Sequence, residues 1–331
     1  MSGPPSEPPR RDWLVPALLL ALVLLAPVVY PHPFVIALLV FVGIYTIVCA
    51  GLSLIFGYAG QLSLTQAAFY GIGAYTSALI TTKLGMSFWA GLAGAALLPA
   101  GVAAAIGLPI LRLRHYYLAM ATLAFSEIMV VVFVQEVNVT GGPTGIVNLP
   151  VPSLFGFRLD TPVRYYYLVW AFAALVLWFS HNLIRGKYGR ALRAISENEV
   201  AASAMGVNVP ALTGLMFVLS AVYAGLGGAL FAHYISFVSP DTFSVSLSIL
   251  LVIMVAVGGV QSLWGAVLGA VFITVLPSLL GRYQQYAMLV YGFVLFFILM
   301  FMPDGMVGLA ARIASRLGWG HEDTGALEAT R

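Results

Sequence analysis

The feature that most constrains this chain is a succession of uncharged apolar runs, each close to the length a helix needs to cross a bilayer. They fall at residues 13–30, 34–56, 64–81, 87–111, 116–134, 165–184, 211–235, 245–260, 262–280 and 285–302. About 20 helical residues span a hydrocarbon core, so the pattern predicts an all-α polytopic membrane protein with about ten transmembrane helices. The runs are continuous rather than alternating, which excludes a barrel wall. Composition excludes a soluble domain. With 61% of residues hydrophobic, 8% charged and a mean hydropathy of +0.98, too few polar side chains remain to coat one. Cys49 lies within an apolar run and is the sole cysteine, so no disulfide can form within the chain.

Charge placement divides the chain and orients it. Residues 1–12, MSGPPSEPPRRD, read as a disordered cytoplasmic tail. Residues 13–309 read as the membrane domain and 310–331 as a cytoplasmic C-terminal tail. With ten crossings and the amino terminus inside, the inner loops hold Arg10, Arg11, Arg112, Arg114, Arg185, Lys187, Arg190, Arg193, Arg312 and Arg316. The outer loops hold only Lys83, Arg158, Arg164 and Arg282. That excess predicts both termini and the segment 185–210 in the cytoplasm. Cations scattered over short loops suit lipid headgroups, not nucleic acid.

Two uncharged stretches interrupt the spans with glycine and polar residues. GYAGQLSLTQAAFYGIGAY, 57–75, carries Gln61, Ser63, Thr65 and Gln66, and VGGVQSLWGAVLGA, 257–270, carries Gln261 and Ser262. Irregular backbone at membrane depth is tolerated where protein buries it or where it lines a watery cavity. Glycine-interrupted segments in the two halves also point to an internal repeat with a substrate path at its centre. The alternative is close helix packing, the stronger reading for Gly265 and Gly269. Glu127 lies inside the run 116–134, where a lone carboxylate is costly. It can be protonated, exposed to a path or, the first choice, held by a structural hydrogen bond. His233 and Asp241 stand near helix ends and are expected at the interface, as are the aromatic residues Tyr165, Tyr166, Tyr167, Trp170, Tyr283 and Tyr286. The loop 135–164 contains TGGPTGI at 140–146, which favours turns and offers a surface on the outer side.

The segment 185–210, RGKYGRALRAISENEVAASAMGVNVP, is the polar island of the chain. Its alanines and leucine favour helix, Gly206 supplies a stop, and Pro210 enforces a break before the next span. A short helix or helix pair on the membrane surface is expected. No G-x-x-x-x-G-K-[ST] run occurs, and neither a G-x-S-x-G nor a metal-ligand pair is present. Transport by conformational change, powered from outside the chain, is the class that remains. A secondary carrier that needs no ATPase is the competing class.

In this segment Ala201, Ala202 and Gly206 match the E-A-A, three residues, G pattern of ABC importer permeases, with Val200 where the glutamate stands and Glu199 just before it. With LAMATLAFSEI, TGGPTGI, YISFVSPDTFS, MPDGMVGL and the two interrupted stretches, in that family's order, the chain resembles LivM-type branched-chain amino acid permeases. The resemblance implies a bacterial inner-membrane subunit that is not itself an enzyme. It would work with a second, LivH-type permease, two cytoplasmic ATPases that bind ATP and magnesium, and a soluble substrate-binding protein. It implies that Arg190, Arg193, Glu197, Glu199, Ala201, Ala202 and Gly206 couple to an ATPase. It also places Gln61, Ser63, Thr65 and Gln66 at or near the path, with Glu127, Gln261 and Ser262 as further candidates. Permeases for urea or short amides resemble the same family and form the alternative.

Overall fold

The structure is a computed structural model describing residues 32–110, 116–154, 157–158 and 160–280, with 27, 289, 292–293, 296, 305–306 and 308 besides. The expected spans 13–30 and 285–302, both tails, Arg10, Arg11, Arg112, Arg114, Arg282, Arg312, Arg316, Tyr283 and Tyr286 lie outside the described residues. All eight remaining expected spans are helical.

Helix α1 (Pro33–Leu52) opens on a proline, whose missing N–H costs nothing in a first turn, and the His32 side chain accepts from the Phe34 amide at 3.4 Å. It runs on into a π-helical turn, Ser53–Tyr58, after which the chain is irregular as far as Thr65. Next come α2 (Gln66–Thr82), α3 (Phe88–Ile110), α4 (Tyr116–Gln135) and the single turn α5 (Val137–Thr140). A loop with strands β1 (Ile146–Val147), β2 (Ser153–Leu154) and β3 (Phe157–Arg158) leads to α6 (Pro162–Arg185). The polar island forms α7 (Lys187–Glu197) and α8 (Glu199–Ala204). Then follow α9 (Val209–Ile235), β4 (Phe237–Val238), α10 (Val245–Gly258) and α11 (Leu263–Leu280).

Five of these stretches are long and apolar enough to cross a membrane singly: Pro33–Tyr58, Phe88–Gly107, Tyr116–Gln135, Pro162–Arg185 and Val209–Ile235. The pair Val245–Gly258 and Leu263–Ser278 is bent by 117° at a short break and supplies at most a sixth such span among the described residues. Small residues permit that sharp reversal. A Cβ built on Gly269 would lie 1.8 Å from the Met254 carbonyl oxygen, and one on Gly265 would lie 2.5 Å from that of Gly259. Close packing therefore accounts for this GxxxG pair.

Helix α9 forms the centre, packed against α1, α2 and α3. Its contact with α2 is nearly backbone to backbone: a Cβ on Gly228 would meet the Tyr70 carbonyl oxygen at 1.9 Å. Around this seam Phe69 meets Phe217, and Tyr70 meets Phe243, each with ring centroids 5.6 Å apart and edge-to-face.

Several aromatic and polar residues expected at the interface are inside. Tyr165 and Tyr166 are only 3% and 1% exposed, and the Tyr165 hydroxyl donates to the Leu230 carbonyl at 2.6 Å. His233, also 3% exposed, is clamped between Ser77 Oγ and the Pro150 carbonyl, both at 3.0 Å. A carbonyl only accepts, so Nδ1 donates to Pro150, and a neutral ring takes the Ser77 hydroxyl proton at Nε2. These polar tips find backbone or hydroxyl partners inside the bundle, which removes the need for water. Asp241 and Tyr167 are exposed.

Candidate functional site

The stretch from Ser53 to Thr65 is where one long apolar helix stops being regular. Residues 59–65 leave backbone groups without helical partners, and in a membrane those groups must be paired inside the protein. Side-chain hydroxyls from distant helices do this. The Leu64 amide donates to Thr122 Oγ1 of α4 at 3.2 Å. The Leu64 carbonyl accepts from Ser126 Oγ at 2.6 Å and from Ser248 Oγ of α10 at 2.8 Å. Ser248 Oγ also receives the Ala67 amide at 3.0 Å, so one hydroxyl fastens the end of the break to the first turn of α2. The sequence carried no sign of these three anchors, since serine and threonine are ordinary in apolar helices.

Of the residues expected near a path, Ser63, Thr65 and Gln66 are buried here. Ser63 Oγ and Thr65 Oγ1 share a hydrogen bond of 2.9 Å, and Gln66 Nε2 donates to Ser220 Oγ on α9. Gln61 is half-buried. Among the described residues the buried amide oxygens of Gln61 and Gln66 have no hydrogen-bond partner, leaving two acceptors inside the bundle beside the break. Glu127 is exposed on α4 and has neither hydrogen bond nor ion pair among the described residues, so none of them makes the structural hydrogen bond expected for it.

The second interrupted stretch touches the first. A Cβ on Gly57 would lie 1.8 Å from the Val260 carbonyl oxygen and 3.6 Å from Gln261 Cα. Ser262 Oγ accepts from the Gly265 amide at 3.3 Å and caps α11, while Gln261 is exposed.

The α7–α8 pair lies against the same end. Gly189, Leu192 and Ile195 form the buried stripe of α7, with Arg190, Arg193 and Glu197 exposed. Such amphipathicity suits a helix lying on a surface. Arg193 also serves its own chain: Nη2 reaches the Ile184 carbonyl at the end of α6, 3.4 Å away, where a cation meets unsatisfied acceptors. Asn198 divides the pair. It is extended, and its Oδ1 accepts from the Val200 and Ala201 amides at 3.0 Å each, capping α8. Gly206 then ends α8 at φ +85°, a left-handed conformation that favours glycine.

Contact between pair and break is direct. The Ser196 Cα lies 3.4 Å from where a Gly60 Cβ would stand. The capping phase turns Ala202 inward and leaves Glu199, Ala201 and Gly206 exposed. It also exposes Val200 and Met205, at 73% and 85%; the sequence reading named Val200 only as the residue in the glutamate's place and did not single out Met205. A two-helix phase break at Asn198 is what decides this, and composition does not reveal it.

The opposite end is tied down by backbone. β1 pairs with β4, Ile146 opposite Val238, and Lys83 Nζ donates to the Val139 carbonyl at 3.0 Å. Within TGGPTGI, Gly145 passes so close to β4 that a Cβ would lie 1.9 Å from the Val238 carbonyl oxygen.

Comparison with known proteins agrees with this architecture. Residues 34–301 match the family model described as branched-chain amino acid transport system / permease component. The high-affinity branched-chain amino acid transport system permease protein LivM of Salmonella typhimurium is 33% identical over 287 residues, 80% of this chain and 68% of that protein. A probable LivM of Methanocaldococcus jannaschii is 25% identical over 326 residues, covering 82% and 92% of the two chains. The Salmonella typhimurium LivH permease protein is 25% identical over 289 residues, covering 80% and 91%. No solved structure matches the chain. With most of its length inside the family model and the helical bundle to match, the chain belongs to the family of permease components of branched-chain amino acid transport systems.

Proposed function

We propose that this chain is one membrane subunit of an ATP-driven importer that carries branched-chain amino acids across the bacterial cytoplasmic membrane by alternating access. The observation that carries the reading is the seating of α7 on the break in the first span, Ser196 against Gly60. Force applied to the α7–α8 pair from the cytoplasm reaches the irregular stretch without an intervening element. Two cytoplasmic ATPases, binding ATP and magnesium, supply that force. One docks on the exposed face of Glu199, Val200, Ala201 and Met205, with Arg190 and Glu197 fixing register and Ala202, Arg193 and Gly206 holding the pair in shape.

A zwitterionic substrate carries two charges, and an apolar passage would cost several kcal/mol per ion. Neutral acceptors lower that barrier without trapping the solute. Gln61 and Gln66, whose amide oxygens have no partner among the described residues, suit that task beside Ser63 and Thr65, with Gln261 and Ser262, on the stretch that touches Gly57, as further candidates. A soluble binding protein delivers substrate to the opposite end, onto the loop held by β1 and β4, with a second permease of the LivH type completing the membrane unit. Both termini lie in the cytoplasm in this reading, which the positive-charge distribution supports.

Reconstitution tests the proposal. The complex in liposomes with its binding protein is expected to accumulate labelled leucine only with ATP. Accumulation of labelled urea but not leucine would replace the substrate, and uptake by this chain alone without nucleotide would replace the class.

A further inference from the structure

Phe243 is 0% exposed, yet it belongs to none of the long helices. It ends the 3-10 turn Pro240–Phe243, which joins β4 to the start of α10. Four aromatic rings grip it edge-on: those of Tyr70 and Tyr75 on α2, Phe133 on α4 and Phe231 on α9, with centroids 5.6, 5.8, 6.1 and 6.5 Å away. Gly71 makes the room, since a Cβ there would lie 2.9 Å from Phe243 Cγ and 2.6 Å from Phe133 Cε2. The ring therefore sits level with Gly71, about 16 Å down α2 from Thr82 and the end that carries β1 and β4.

A ring that only fills a core comes from a helix, as those of Phe69 and Phe217 do. This one rides on a short non-helical segment. Such backbone deep in a bundle is tolerated where protein buries it or where it lines water. Both conditions meet here: Phe243 is buried, while Asp241, two residues earlier, is exposed and has neither hydrogen bond nor ion pair among the described residues. An exposed carboxylate in that place suits an aqueous mouth, not acyl chains. The phenol hydroxyls of Tyr70 and Tyr75 are buried and have no hydrogen-bond partner among the described residues, so the grip on the ring contains polar groups that packing alone does not call for. Ring contacts alone hold Phe243, and it leaves them without breaking a side-chain hydrogen bond of its own.

The same turn is joined to both ends of the permease. On one side Val238 of β4 pairs with Ile146 of β1, in the loop opposite the α7–α8 pair. On the other, five residues past Phe243, the Ser248 hydroxyl of α10 holds the Leu64 carbonyl and the Ala67 amide of the broken stretch. That stretch meets Ser196 of α7 at Gly60. A shift of the break thus pulls on α10, and α10 carries the ring.

We propose that Phe243 is the plug that closes the substrate path on the side of β1 and β4, and that α10 withdraws it when the break shifts. The proposal rests on the reading of the chain as an alternating-access importer subunit. Ser63, 1% exposed at the break, then lies behind the plug.

Thiol accessibility in the complete importer, in right-side-out vesicles, tests this. The probe is Ser63→Cys with a charged, membrane-impermeant methanethiosulfonate, and the native Cys49, 0% exposed, is the internal blank. The probe is expected to react at least tenfold faster in one of two states, nucleotide-free or vanadate-trapped, than in the other. Phe243→Ala is expected to raise the slower rate to the faster, and Phe243→Leu, which keeps most of the volume, to raise it partway. Where the alanine variant does not assemble, F243L carries the test. A slow rate that neither variant raises would overturn the plug, and equal rates in the two states beside ATP-dependent leucine uptake would overturn its coupling to α10; the importer reading survives both results. Leucine uptake that needs no ATP would instead sink the importer reading, and the effect of the two variants alone would then decide on the plug.

Discussion

Helices α9 and α4 have nearly the same hydropathy, yet 67% of the most apolar window of α9 is buried against 22% of that of α4. Hydropathy reports that both cross the membrane and is silent on which lies inside. Residue size makes the distinction. Gly225 and Gly228 let α9 touch α3 and α2 backbone to backbone, whereas α4 presents Met120, Leu123, Ile128 and Val131 outward with one carboxylate among them. The central helix is specified by what it lacks, and the outer one by a group that lipid cannot accommodate.

The sharpest way to break this contrast is to add volume to each helix. Gly228→Leu would drive a side chain into the Tyr70 backbone, which cannot retreat as a rotamer can. The expected cost is about 3 kcal/mol or more, read as loss of monodisperse protein in detergent, while Ile128→Phe, on an exposed face, leaves thermal stability unchanged. If the two variants behaved alike, the inside–outside assignment would be wrong.

A smaller effect is expected where α9 begins. Gly206→Pro removes the amide that donates to the Ser203 carbonyl and forbids the positive φ of the α8 stop. The protein should still insert, but uptake should fall at least tenfold, because the α7–α8 pair loses its position under the break; wild-type uptake would refute the coupling role.

Smaller again are single hydroxyls. Ser220→Ala on α9 and Ser126→Ala on α4 each remove a bond to the broken stretch, one to Gln66 and one to the Leu64 carbonyl. Each is expected to cost about 1 kcal/mol in thermal unfolding. Ser248→Ala should cost about twice that, since its hydroxyl both donates to Leu64 and accepts from Ala67. Equal losses at all three positions would mean that the stretch is not fastened by these bonds.

Much of this was legible in the sequence, for physical reasons that also mark where legibility stops. Uninterrupted apolar runs could only be membrane helices, though not each is long and apolar enough to span singly, and the uncharged GYAGQLSLTQ stretch could only be a break that protein buries or a cavity lining. The helix pair after Arg185 was visible because its alanines favour helix and Gly206 ends it. Burial of Tyr165, Tyr166 and His233 was not visible. A polar tip on an apolar ring meets either water or a carbonyl, and only the packed neighbour, Leu230 or Pro150, decides which. The inward turn of Ala202 and the outward turn of Val200 were hidden likewise, since the Asn198 cap sets the phase of α8. The displaced glutamate of the short motif has a partial account: Glu199 stands in the first turn of α8, where a carboxylate suits the helix N-terminus, and Val200 presents an apolar contact instead.

The central claim is that the α7–α8 surface couples this permease to ATPases, and one measurement tests it most directly. Val200→Asp combined with Met205→Asp changes two side chains that are 73% and 85% exposed and touch nothing the fold needs. The double variant should keep its thermal stability and its second permease, yet lose the co-purified ATPase and ATP-dependent leucine uptake together. Full ATPase recovery with wild-type uptake would contradict the account.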